Sequence, residues 1–197
     1  MTPPGPPADI DQRHPLLRQL AVGDVLYRFH TRSFAPIHFD KSTGGRLNAP
    51  DGSYGVLYLA NTARGAFAET FLRQPGRTLL PPDMIASKAL AIMRATQVLR
   101  VVRLHGNGLA RLGCTAEVTH GGLPYDLPQA WSRALHAHPS RPNGIEYHAR
   151  HDDDELCYAI FDDEHVGLPV EQQEPNLNQD WFYELFDYYG VGLAPPS

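Results

Sequence analysis

Four polar side chains stand at intervals that suit work on a charged, glycosidic ligand: Arg28 within LYRFH, Arg46 within GGRLNAP, Tyr58 within VLYLA and Glu69 within FAET. Arg28 sits among hydrophobic residues, where desolvating a guanidinium is costly unless something negative faces it. That partner is either an anionic ligand or a carboxylate of the fold itself. Arg46 follows Gly44 and Gly45, whose missing Cβ atoms let a backbone come close to a phosphate while the arginine forks onto its oxygens. A solvated loop arginine would need no such ligand. Tyr58 suits a strand of the core equally well as a ring offered to a ligand. Glu69 has Arg73 one turn later, which would satisfy it as a surface pair, unless its carboxylate is turned to a binding site. Taken together, the set suits gripping a dinucleotide and breaking a glycosidic bond.

These residues need elements to hold them. Residues 24–30 alternate, with Val25, Tyr27 and Phe29 on one face and Leu26, Arg28 and His30 on the other, the period of a strand. Between residues 31 and 54 glycine, proline, asparagine and aspartate recur too densely for regular structure, and a loop longer than about 15 residues inside a compact domain is usually functional. A short strand over 55–60 follows, then a helix capped by Asn61 or Thr62 with a stripe of Ala63, Ala66, Phe67, Thr70 and Phe71. Glu69 falls beside that stripe. Strands are expected over 87–93, 97–104, 144–148 and 156–161, the last two joined by an acidic turn over 152–155. A helix is expected over 127–137. The stretch NQDWFYELFDYY reads as a helix with a large aromatic face, capped by Asn178 or Asp180 and stopped by Gly190. That face either packs on its own domain or serves a homodimer or another partner, the first being the default. Strands dominate without strand–helix alternation, so the fold class is α+β, with a mostly antiparallel central sheet and flanking helices.

The chain has 197 residues, 42% hydrophobic, which fits one domain with a substantial core. Residues 1–20 form a proline-rich N-terminus expected to be flexible, residues 21–193 the domain, and residues 194–197 a tail. With 17 lysines and arginines against 22 aspartates and glutamates the net charge is −5, so no general positive field draws nucleic acid to the chain. Cys114 and Cys157 lie far apart and form neither a metal motif nor a disulfide framework. The opening MTPPGPPADIDQ has no basic segment followed by an apolar one, and no run approaches the about 18 apolar residues of a membrane span. A soluble cytoplasmic protein is expected. Ten histidines include His136 and His138 as HxH, but at the end of a helix that spacing diverges, and residues 152–155 lack the alternation of a calcium loop. No metal is assigned.

The order LYRFH, GGRLNAP, VLYLA, FAET, then GLARLG over 108–113 and NGIEYHARHDDDELCYAIFD over 143–162, resembles the RES domain family, whose members are similar to ADP-ribosyltransferases and consume NAD. The resemblance spans roughly residues 22–163. It implies that Arg28, Arg46 and Gly45 bind NAD, that Tyr58 packs against the nicotinamide, and that Glu69 stabilises positive charge on the ribose. It implies NAD as substrate rather than a permanently bound cofactor, cleaved by phosphorolysis with inorganic phosphate or by hydrolysis. It further implies the toxin of a toxin–antitoxin pair, bound by a helix-turn-helix antitoxin, the partner that would touch DNA. The alternatives are a protein ADP-ribosyltransferase and a catalytically impaired NAD-binding or interaction module. The second alternative arises at Ala149, which stands where the family pattern GIxYxSR has its serine. The serine's role is then missing, or passes to His148 or Arg150.

Overall fold

Alternation along apolar strands decides the architecture. In β3 (Val56–Ala60) and the strand paired with it, residues such as Val56, Ala60, Ala159 and Phe161 point to one face while Leu57, Leu59, Tyr158 and Ile160 point to the other. Both faces are apolar, so the sheet has to be covered on both sides. The computed structural model describes residues 3–163 and 166–195. In chain order the elements are β1 (Leu17–Leu20), β2 (Val25–Thr31), β3, α1 (Ala63–Phe71), β4 (Leu79–Leu80), α2 (Pro82–Ala86), β5 (Lys88–Arg94), β6 (Leu99–Arg103), α3 (Asn107–Leu112), α4 (Glu117–His120), α5 (Asp126–His136), β7 (Gly144–Ala149), β8 (Asp152–Phe161), β9 (Val170–Glu174), α6 (Asp180–Tyr189) and β10 (Gly192–Leu193). Eight strands form one sheet in the order β1-β6-β7-β8-β3-β2-β5-β9, antiparallel except for β6 beside β7; β4 and β10 make a separate parallel pair. The α+β class and the mostly antiparallel sheet are as expected from the sequence.

One face of the sheet carries an aromatic core. Phe29 of β2, Phe67 and Phe71 of α1 and Phe182 of α6 meet mostly edge to face, with Phe182 5.8, 5.7 and 5.5 Å from the other three ring centroids. Aromatic edges on ring faces add to the area they bury. The aromatic face of α6 thus packs on its own domain. The helix ends at Gly190, whose left-handed backbone at φ 61° suits glycine. Its start differs from the sequence reading: Gln179 holds the cap position, without a side-chain cap.

Thr62 caps α1, as one of the two expected candidates. Its hydroxyl accepts from the Gly65 N–H at 3.0 Å and donates to the Glu155 carboxylate, which also pairs with Arg64 at 2.9 Å. This changes the reading of residues 152–155. They belong to β8 rather than to a turn, and Glu155 is buried, because the cap and Arg64 give its charge partners; the turn is Arg150–His151.

The N-terminal expectation is corrected too. Residues 3–20 are docked on the domain: the Trp131 indole donates to the Pro4 carbonyl at 3.0 Å, Ile10 is buried, Arg13 donates to the Leu112 carbonyl at 2.6 Å and β1 pairs with β6. Prolines lack donors but keep carbonyls, and this segment uses one of them to satisfy a buried indole. Of the tail, Ala194 donates to the Leu80 carbonyl at 2.9 Å; residues 196–197 lie outside the described residues. No helix among the described residues is long and apolar enough to cross a membrane.

Candidate active site

β2 and β3 meet at one Cα pair, Tyr27 with Ala60, although each is fully paired on its other side. The gap between them opens a cleft of about 520 Å³, floored by the two strands, walled by α1 and roofed by the loop of residues 32–55. Arg28, Gly45, Arg46, Tyr58 and Glu69 all line it. Five residues chosen from four separate motifs therefore share one cavity.

Arg28 is held in the gap, where its Nη1 donates to the Tyr58 carbonyl at 3.2 Å and its Nε has no partner. Burial lowers its pKa from 12.5 to about 10, only partly offset by the field of Asp40. It remains a cation near neutral pH, and no carboxylate forms an ion pair with it among the described residues. Of the two partners the sequence left open, the fold does not supply the carboxylate. Arg46 donates from Nη1 to the Thr119 carbonyl, and its Nε is likewise buried and unpartnered. A third such atom is Nε2 of His151, at the same cleft. Buried polar atoms are rarely left unpaired, so two guanidinium donors and one imidazole nitrogen without partners around one cavity mark where a polar ligand fits.

Tyr58 and Gly45 act differently from the simplest expectation. The Tyr58 hydroxyl accepts from the Leu47 N–H at 2.9 Å and donates to Asn48 Oδ1 at 2.8 Å, while its burial pushes its pKa well up, so it stays neutral. It pins the loop that carries Arg46 and leaves the ring to the cleft. A Cβ on Gly45 would fall 2.2 Å from Asn48 Oδ1 and 2.7 Å from the Tyr58 hydroxyl. The missing side chain at Gly45 is therefore required by Asn48 and Tyr58, a packing reason rather than close approach to a phosphate. Asn48 is wholly buried and fully bonded, its amide donating to Asp40 at 2.9 Å and to the Ser42 carbonyl at 2.7 Å. Burial opposes ionisation of Asp40, but hydrogen bonds from Ser42 and Asn48 outweigh it and hold the carboxyl below its usual range. Gln129 of α5 fastens the same loop through the carbonyls of Thr43 and Gly45 at 2.8 and 3.0 Å.

Glu69 does not make the side-chain pair with Arg73 that its spacing allowed. Arg73 donates instead to the Glu69 main-chain carbonyl at 2.8 Å. The Glu69 carboxylate accepts from the Arg150 N–H at 2.9 Å and, more weakly, from the Tyr147 hydroxyl at 3.4 Å. It is thus aimed by the β7–β8 turn into the cleft. Burial, with Glu69 close by, raises the Tyr147 pKa well above 10, so the phenol remains a donor.

The β7–β8 turn also answers the question left at Ala149. Ala149 is fully buried in the core and does not line the cleft, whereas Arg150 and His151 do. His148 faces a separate cavity of about 300 Å³ with His105 and His120, next to the buried Glu146. Among the described residues, no three His, Cys, Asp or Glu side chains come together as a metal site. The residues that sequence reasoning missed are Asp40, Asn48, Tyr147 and His151. Asp40 and Asn48 lie inside the loop already singled out as functional, and His151 inside the HARHDDD run.

Two cations, aromatic rings and an anchored carboxylate share one partly desolvated cleft, an arrangement able to stabilise positive charge that develops on a bound molecule. A model of the RES domain matches residues 25–183. The chain belongs to the RES domain family. Its fold is also similar to that of a chain in the crystal structure of the M. tuberculosis MbcT–MbcA toxin–antitoxin complex, with a TM-score of 0.64, 17% identity, and coverage of 86% of this chain and 92% of that one. No curated protein sequence matches.

Proposed function

We propose that this RES protein is an NAD-degrading enzyme that breaks the bond between nicotinamide and ribose, and that it is the toxin of a toxin–antitoxin pair. The observation that carries the reading is the placement of the anchored Glu69 carboxylate in the same cleft as two arginines with unpartnered buried Nε atoms. Nicotinamide is a good leaving group, because it departs neutral from a cationic precursor. The protein has chiefly to orient the ribose and stabilise its oxocarbenium character. Arg28 and Arg46 hold the diphosphate, the Tyr58 ring lies against the nicotinamide, and Glu69 faces the ribose as positive charge develops there. The acceptor is inorganic phosphate or water. NAD is a substrate in this reading and not a resident cofactor, and the cytoplasm, where the NAD pool is, is the compartment in which it acts.

An antitoxin seated over the cleft would silence this chemistry, and the structural similarity to a toxin–antitoxin complex supports such a partner. With a net charge of −5 the toxin itself is a poor ligand for DNA, so DNA binding falls to an antitoxin of the helix-turn-helix type. Expression of the chain from a repressible promoter tests both halves of the proposal. Cellular NAD falls and growth stops, and co-expression of the product of the adjacent reading frame restores both. Growth arrest with NAD unchanged, together with label from NAD on cellular proteins, identifies a protein ADP-ribosyltransferase instead.

A further inference from the structure

We propose that His151 is the catalytic base of this site, taking the proton of the oxygen nucleophile that attacks the ribose; the inference rests on the NAD-cleaving reading above. His151 follows Arg150 in the two-residue turn between β7 and β8, and that turn also fixes Glu69 through the Arg150 N–H. Its Nε2 is buried, has no hydrogen-bond partner among the described residues, and belongs to a residue lining the cleft. A buried imidazole nitrogen without a partner carries a desolvation cost that a bound hydroxyl removes.

Four charged or titratable groups face it: Arg150 in the same turn, Glu69 of α1, Arg46 of the roof loop and His120 of α4. Burial first, then the positive charge of Arg150, moves its pKa below 6.5, and Glu69 only partly restores it. The imidazole is therefore neutral at pH 7. In the tautomer with hydrogen on Nδ1, Nε2 offers a lone pair to an incoming O–H. With water as acceptor, an O–C bond forms at the anomeric carbon as the C–N bond to nicotinamide breaks. The electron pair of that bond goes to the nicotinamide ring nitrogen, cancelling its charge, and the water proton goes to His151 Nε2 and on to solvent. With hydrogen phosphate the same bonds form and break; its hydroxyl donates to Nε2 and keeps its proton. His151 thereby stands where the buried Ala149 offers no polar group, one place beyond Arg150.

The test uses the whole chain with His151→Ala and His151→Gln, each checked for an unchanged thermal transition. Loss of general-base catalysis lowers kcat for nicotinamide release on the order of 10²- to 10⁴-fold in phosphate-free buffer, with KM little changed. The wild-type rate falls on the acid side, as pH drops through the lowered pKa of His151 and its imidazole takes a proton. That limb is absent from His151→Ala, and free imidazole restores part of the rate. Glutamine keeps a hydrogen bond but accepts no proton, so it is expected to be nearly as slow as alanine. Wild-type rates in His151→Gln, or no rescue by imidazole and an unmoved pH profile in His151→Ala, overturn the assignment of a base while leaving NAD cleavage intact. A wild-type chain that leaves NAD whole overturns both.

Discussion

Replacing Glu69 by glutamine removes a negative charge and keeps the shape that the β7–β8 turn grips. The Arg150 N–H, 2.9 Å from the carboxylate, still finds an oxygen in the amide. Only the difference between a charged and a neutral hydrogen bond is lost from the fold, about 1 kcal/mol. In a chain of this size that lowers the thermal midpoint by about 2–4 °C. The effect on chemistry is much larger. A carboxylate about 4 Å from an oxocarbenium ion, at an effective dielectric constant of about 20, contributes about 4 kcal/mol, and removing such a preorganised charge costs on the order of 10²- to 10³-fold in kcat. Initial rates of nicotinamide release, measured with a melting curve on the same samples, separate the two effects. Glu69→Ala also strands the Arg150 N–H, at a further cost of about 1–3 kcal/mol in stability. Turnover by Glu69→Gln within about tenfold of wild type leaves less than about 1.4 kcal/mol for the charge and refutes its role. So does a rate loss that merely tracks a loss of folded protein.

Arg28→Met removes a buried cation that lacks a carboxylate partner, so calorimetry is expected to show equal or slightly higher stability at pH 7 while NAD binding is lost. The sign is set by the depressed pKa: below about 10 Arg28 is charged in both folded and unfolded chains, and the folded state carries the desolvation cost throughout that range. Tyr58→Phe keeps the ring but frees Leu47 and Asn48, so a loss of about 1–3 kcal/mol in denaturant titrations should accompany a raised KM for NAD as the Arg46 loop slackens. Ala149→Ser places a hydroxyl in a fully buried position outside the cleft; turnover is expected not to rise, and the protein to lose about 1–3 kcal/mol unless the hydroxyl finds a partner. Phe182→Ala empties the centre of the aromatic core, with an expected cost of about 3–5 kcal/mol and a visibly lower melting temperature.

The strands and helices that hold the site were legible where one physical rule acted alone. Period-two alternation located β2, the short strand expected over 55–60 is β3, and an apolar stripe after an Asn61 or Thr62 cap located α1. Arg28, Arg46, Tyr58 and Glu69 followed from those elements together with family position. What was not legible depends on contacts distant in sequence. Gln129 reaches back to the roof loop across 84 and 86 residues, and Arg150 to Glu69 across 81. The polar strand β9, exposed over much of its length at the sheet edge, has no apolar alternation to announce it. Residues 3–20 looked mobile because prolines signal irregular backbone, yet the indole of Trp131 and the free edge of β6 supply partners that no local rule reveals. Likewise, a run such as HARHDDD gives no sign that one histidine ends in a turn facing the cleft and another behind the sheet.

The account stands most directly on what the purified chain does to NAD. Incubation with NAD in buffers with and without phosphate, followed by mass analysis, is predicted to yield free nicotinamide with ADP-ribose, its 1″-phosphate, or both, and the Glu69→Gln chain is predicted to yield almost none. Intact NAD after incubation with folded wild-type protein, with or without phosphate, contradicts the account.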